Sequence, residues 1–195
     1  MREMCALLTR DRRVVPEVGR YAVDGPRTAV EFVVHHLRGA QVRGRFADVA
    51  GQIMVAEEPE DSHVEVEIRA ASLDTGNRLR DRHLRSSAFL DVSRYPTIRF
   101  RSTAVRPSPA AAWEVVGGLT VRDITRPVQL RVDLSSVDPS TDVDGLALCA
   151  AGDLNRKDFG VTWNRVLETG GFLLGNAVHA ELRVVATPVG PEWVR

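Results

Sequence analysis

The side chains best suited to chemistry in this 195-residue chain are His36, His83, Arg85 and Ser102, with Asp81 close by in sequence. His36 shares a strand face with Phe32 and Val34, because residues two apart point the same way along a strand. An imidazole on an apolar face can transfer protons, hydrogen-bond a buried polar group, or sit as a core histidine satisfied by backbone or a carboxylate. His83 and Arg85 lie in the charged run Arg80-Asp81-Arg82-His83-Leu84-Arg85-Ser86, which continues into the bulky pair Phe89-Leu90. On a helix, Asp81 and His83 would not share a face, which argues against an Asp–His dyad, whereas Asp81 and Arg85 could pair at i,i+4. Metal binding has little support. His35 and His36 point to opposite faces of a strand, and His63 and His179 fall on polar faces, so no three or four ligands converge. There is no Gly-x-Ser-x-Gly turn and no Gly-rich phosphate loop. No metal, no cofactor and no catalytic residue is therefore expected.

The elements that must hold these residues are strands. Val64, Val66 and Ile68 alternate with charged residues, as do Ile98 and Phe100, then Val128, Leu130, Val132 and Leu134, then Val178, Ala180, Leu182 and Val184. One apolar face and one wet face is the pattern of antiparallel sheets, not of buried parallel ones. Further strands are expected over 28–37, 42–55, 113–121 and 146–154, which gives about eight. Turn signals separate them at Arg38-Gly39, Pro59-Glu60-Asp61, Pro107-Ser108-Pro109, Asp138-Pro139 and Gly170-Gly171. Eight alternating strands with short connections suggest an up-and-down barrel or a sandwich. The one helix is expected over 78–87, started by Thr75-Gly76-Asn77, in the long connection near 75–95. The domain is expected over 20–188, with tails at 1–19 and 189–195.

Basic and acidic residues balance at 26 each, which gives no footprint for nucleic acid. Lys157 is the only lysine, an arginine bias read as compositional. Cys5 and Cys149 are too far apart to suggest a framework or a metal set, so both are expected to be free thiols, compatible with a reducing compartment. No apolar run approaches the roughly 20 residues of a membrane span, so no stable membrane insertion is expected. Cys5-Ala6-Leu7-Leu8 is too short and too soon followed by charge for a secretion signal. A cytoplasmic location is the expectation.

Several segments then carry a resemblance. Val30 to Leu37, Val42-Arg43-Gly44-Arg45-Phe46 and Gly51 resemble the opening of the YceI-like family. Arg80 to Phe100, with Ser102, resembles its central Asp, His, Leu, Arg, Ser, Phe and Tyr-Pro motif. Gly118-Leu119-Thr120 with Thr125-Arg126-Pro127-Val128-Gln129-Leu130 resembles its Gly-Leu-Thr … Thr-x-Pro-Val-x-Leu element, and Arg156-Lys157-Asp158-Phe159-Gly160 its Lys/Arg-Asp-Phe-Gly turn. The order is the family's, across roughly 21–187. Asp123 stands where members often have Gly, and Arg27-Thr28 where a His-Ser pair is common.

The resemblance implies a lipocalin-like, extended antiparallel barrel that holds a long apolar chain: an isoprenoid quinone, a polyprenyl lipid, or a fatty-acid-like ligand. Phe32, Val34, Phe46, Phe89, Ile98, Phe100, Trp113, Leu119, Leu130 and Leu148 would then line or cap the interior. His36, His83, Arg85 and Ser102 would be the polar contacts for a headgroup, and 74–95 a lid plugged by Phe89 and Leu90. A homodimer is the default assembly. Two other readings stay open: an enzyme for a small apolar substrate with His36 or His83 as acid–base group, and a ligandless module with a filled interior.

Overall fold

The alternation of apolar and polar residues becomes a ring of antiparallel strands in the computed structural model, which describes residues 16–36, 41–135, 145–163 and 174–190. In chain order the strands are β1 (Gly19–Val23), β2 (Ala29–His36), β3 (Gln41–Phe46), β4 (Val49–Val55), β5 (His63–Arg69), β6 (Leu73–Asp74), β7 (Thr97–Pro107), β8 (Trp113–Val121), β9 (Ile124–Ser135), β10 (Leu146–Asn155) and β11 (Leu174–Pro188). The helix α1 spans Arg78–Arg85. The ring runs β1-β4-β5-β7-β8-β9-β10-β11 and closes where β11 returns to β1. It is an eight-stranded antiparallel barrel.

The long strand β11 makes the fold asymmetric. Its last residues pair with β1, Val23 facing Ala186 and Tyr21 facing Pro188. Its earlier part pairs instead with β2, Val34 facing Val178 and Val30 facing Leu182. From there β3 and the short β6 extend outward. Thr28, at the corner between β1 and β2, donates its Oγ1 hydroxyl to the Val185 carbonyl and accepts the Val185 N–H. One end of the barrel is therefore a tight seam, and the other carries a three-stranded wing with the helix beside it.

The sequence pattern differs from the structure in three places. The expected strand over 42–55 is two strands, because the chain breaks at Ala47-Asp48. There the Ala47 N–H donates to the Ser72 carbonyl and the Arg69 N–H donates to the Asp48 carbonyl. β1 and β6 are too short to show a period. In β7 the register against β8 slips between Ser102 and Ala104, so a bulge moves the inward face from Ile98, Phe100 and Ser102 to Val105.

Cys149 is not a free thiol; it is disulfide-bonded. It stands opposite Asp133 and Arg183 in register, on the outer face of β10, whereas Leu148 and Ala150 point inward. The other cysteine, Cys5, lies outside the described residues. Disulfides persist in oxidising surroundings, so cysteine chemistry lends no support to a reducing compartment.

Candidate functional site: an apolar cavity under a helical lid

The inward faces of the strands do not meet in the middle. They enclose a cavity of about 480 Å³ with an almost wholly apolar wall. Phe32, Val34, Phe46, Phe89, Ile98, Phe100, Leu119, Leu130 and Leu148 all stand on this wall. All but Phe89, which comes from the lid, reach it because alternate residues of a strand share a face.

Trp113 does not. It is buried one inward position beyond the wall residue Val115. On β4 and β11, Val55 and Ala186 likewise lie one position beyond the wall residues Ile53 and Val184. Val55 and Ala186 pack with Tyr21 and Leu146, and Trp113 lies in the neighbouring cluster that shares Leu134, Leu148 and Leu182 with them. They form a floor at the seam end, and Trp113 belongs to the floor.

The opposite end is covered by the segment from Asp74 to Tyr95. Asn77 starts α1 by accepting the N–H groups of Leu79 and Arg80, both at 3.1 Å, the usual role of an asparagine cap. Asp81, 5 % exposed, accepts the Thr75 N–H at 3.0 Å and the Thr75 hydroxyl at 2.5 Å. Arg85 donates from Nε to the Ala71 carbonyl at 2.9 Å and from Nη2 to the Leu73 carbonyl. The expected Asp81–Arg85 pair is thus replaced by two backbone staples, because each side chain finds a backbone group in the connection to β6. Tyr95 ends the lid by donating its hydroxyl to Asp123, 3.0 Å away in the β8–β9 turn. Asp123, one of the departures noted above, is thereby given a use. Burial and the neighbouring Asp123 raise the Tyr95 pKa above the ordinary phenol value.

Phe89 is 4 % exposed and fills the lid's inner side, and Leu84 and Leu90 also face the cavity. Replacing Asp81 by Ala would leave the Thr75 N–H without its acceptor, a loss of about 1–3 kcal/mol. The expected result is faster amide exchange confined to 74–95, read by hydrogen–deuterium exchange. Asp81→Asn, which keeps an acceptor, should recover most of the protection. Exchange unchanged in Asp81→Ala would show that the staple does not hold the lid.

Of the three expected polar contacts whose side chains are among those described, one lies on the cavity wall. His83 is exposed at the rim, edge-on to Phe89 at 5.1 Å and to Trp163 at 4.5 Å, and Phe89 and Trp163 are 5.1 Å apart. Arg85 is committed to the backbone staples. Ser102 is also committed: its hydroxyl accepts the Val64 N–H at 2.8 Å, beside the β7 bulge. The His36 backbone ends β2 opposite Leu174, and its side chain lies outside the described part of the structure. Among the described residues no cluster of three or more His, Cys, Asp or Glu could hold a metal ion.

The turn 156–160 supplies wall residues that alternation did not reveal. Arg156, 5 % exposed, donates from Nη1 to the carbonyls of Val161 and Trp163 at 2.7 and 2.8 Å, and from Nε to the Gly175 carbonyl at 2.9 Å. Burial pushes its pKa down from the ordinary arginine value, although a guanidinium stays cationic in proteins. Gly160 sits at φ 71°, a left-handed conformation that glycine takes without a Cβ clash. This wiring presents Phe159, Val161 and Trp163 to the cavity. The motif Arg156-Lys157-Asp158-Phe159-Gly160 was the only sequence signal for it.

A family model described as the YceI-like domain matches residues 21–186. A UPF0312 protein of Staphylococcus aureus (strain MSSA476) is 31% identical over 169 residues, 83% of this chain and 93% of its own length. A UPF0312 protein of Pseudomonas syringae pv. tomato (strain ATCC BAA-871 / DC3000) is 37% identical over 114 residues, which span 57% of this chain and 59% of that protein. The chain thus matches about three fifths of the length of such Pseudomonas relatives. Among solved structures, Burkholderia cenocepacia BcnA superposes with a TM-score of 0.73 at 20% identity, over 85% of this chain and 99% of that one. A polyisoprenoid binding domain from Saccharophagus degradans superposes with a TM-score of 0.62 at 14% identity, over 87% and 98%.

Proposed function

We propose, because the chain belongs to the YceI-like family and its barrel encloses an apolar cavity, that it binds a long apolar ligand and shields it from water. The observation that carries this reading is the cavity of about 480 Å³. That volume falls within the roughly 300–1,000 Å³ of small-molecule sites. Its wall offers surface that gains roughly 25 cal/mol per Å² buried, less the cost of ordering a flexible chain. The resemblance to a domain described as polyisoprenoid-binding supports an isoprenoid, such as a quinone or a polyprenyl lipid, as the ligand class. The protein is read as a carrier or store rather than an enzyme. The rim histidine His83 has aromatic rings as its ring neighbours, a setting that positions the imidazole without supplying a base partner.

Native mass spectrometry of the purified chain, followed by solvent extraction, tests this directly. A co-purifying species of isoprenoid or long-chain acyl mass is the expected result and would name the ligand class. A bare protein that also refuses added isoprenoid quinone would overturn the proposal.

A further inference from the structure

Large apolar side chains are exposed at few places among the described residues; one of them, Trp163, lies on the cavity wall, and another, Leu79, stands one helical turn before the wall residue His83. Leu79, on the first turn of α1, is 75% exposed, and Trp163 is 39% exposed. His83 joins them, since its ring lies 4.5 Å from that of Trp163 and both line the cavity. A single exposed leucine needs no explanation. Leu79 and His83 are four residues apart on α1 and so share a face, which links the exposed leucine to Trp163 through the His83 ring.

The charge on the outer face of α1 has one sign. Arg78 and Arg82 are exposed and four residues apart, and Arg82 is three residues from Leu79, so Arg82 neighbours both on the outer side of α1. The only acid of the helix, Asp81, is turned inward onto Thr75. The nearby Asp74 faces Arg45 at 3.3 Å. The outer face of α1 therefore presents arginines and a leucine with no competing carboxylate of its own helix.

We propose that this face, Arg78, Leu79 and Arg82 with Trp163 beside them, docks the cavity mouth onto an anionic phospholipid bilayer. The proposal rests on the reading of the cavity as a site for a long apolar ligand. Such a ligand dissolves in the bilayer and not in water, so a mouth that seats on the surface lets it pass without hydration. Guanidinium groups near an anionic surface add attraction that falls off within a Debye length. Leu79 enters the headgroup boundary as an apolar anchor, and Trp163 suits the interface, with an apolar ring and a polar N–H. The attachment is peripheral and reversible, and no helix among the described residues is long and apolar enough to cross a membrane.

Flotation of the full chain with vesicles is the test, using phosphatidylglycerol mixed into phosphatidylcholine against phosphatidylcholine alone. Binding is expected only with the anionic lipid and should fall as salt rises. The double variant Arg78→Gln/Arg82→Gln should weaken it about thirtyfold, from the usual contribution of two surface arginines. Leu79→Ser should weaken it too, without removing the salt dependence. Binding of an isoprenoid quinone in vesicle-free solution, with circular dichroism, shows whether each variant keeps its fold and cavity. Vesicle binding by a chain that refuses quinone would support docking while the carrier reading fell. Equal binding to neutral vesicles, or a double variant that floats like the wild type, would overturn it. So would a solution dimer that Leu79→Ser dissociates, with no vesicle binding, since the face would then belong to a second copy.

Discussion

Leu130→Asp is expected to lower the affinity for an apolar chain more than a hundredfold while leaving the barrel folded. Leu130 stands on the cavity wall in β9, opposite Val115 in register. With the cavity open to water, the new carboxylate keeps its hydration, so folding loses little more than the packing of one half-buried side chain. A bound isoprenoid would strip that water and leave an unpaired charge against hydrocarbon. Desolvating such a charge costs several kcal/mol even after relaxation, and each 1.4 kcal/mol is about tenfold in affinity. Leu130→Ala, which removes contacts without adding charge, should weaken binding far less. Quinone binding followed by fluorescence, beside a thermal melt of each variant, reads the difference. Wild-type affinity in Leu130→Asp would mean that the ligand sits elsewhere.

The largest effect on stability is expected at Gly117. A Cβ there would come 2.4 Å from the Arg101 carbonyl oxygen and 2.6 Å from the Phe100 ring. Neither can give way easily. The carbonyl belongs to the β7–β8 ladder beside the bulge, and Phe100 is fixed in the cavity wall. Overpacking of this kind costs about 3 kcal/mol, which lowers the melting temperature by about 10 °C in a chain of this size. Gly118 is the internal control. A Cβ there meets only the Thr125 methyl at 3.1 Å, on the outer face, where a side chain can move aside. Gly118→Ala should therefore melt within about 2 °C of the wild type. Equal melting of the two alanine variants would show that β7 and β8 are looser than their register implies.

The strands were legible where one face is wet and the other dry. Val64 to Ile68, Val128 to Leu134 and Val178 to Val184 announce themselves because a barrel has one inside and one outside. Short elements were not: β1 and β6 are 5 and 2 residues long, too short for a period to register. The break at Ala47-Asp48 has neither Gly nor Pro and depends on backbone groups of the β5–β6 connection, which arrive only in three dimensions. Nor does alternation distinguish a wall residue from a floor residue. Trp113 and Val115 share a face, and only their depth along the barrel separates them. The polar candidates were the least legible. Arg85 and Ser102 have the chemistry to meet a headgroup, yet each is used by a backbone group that the fold leaves unpaired nearby. Cys149 was misread because its apolar neighbours in sequence face inward, whereas it faces out.

The closing of the ring has a consequence in time. The seam joins β1, near the start of the domain, to the last residues of β11, and the cavity wall draws on residues from Val30 to Val184. Contacts between such distant parts of a chain form late and slowly, because the loop between them must first be ordered. A growing polypeptide whose β11 is still unsynthesised has no enclosed interior, whatever its earlier strands have done. The interior is closed only once β11 is in place, so a ligand of the proposed kind would be taken up by the finished chain and not during its synthesis.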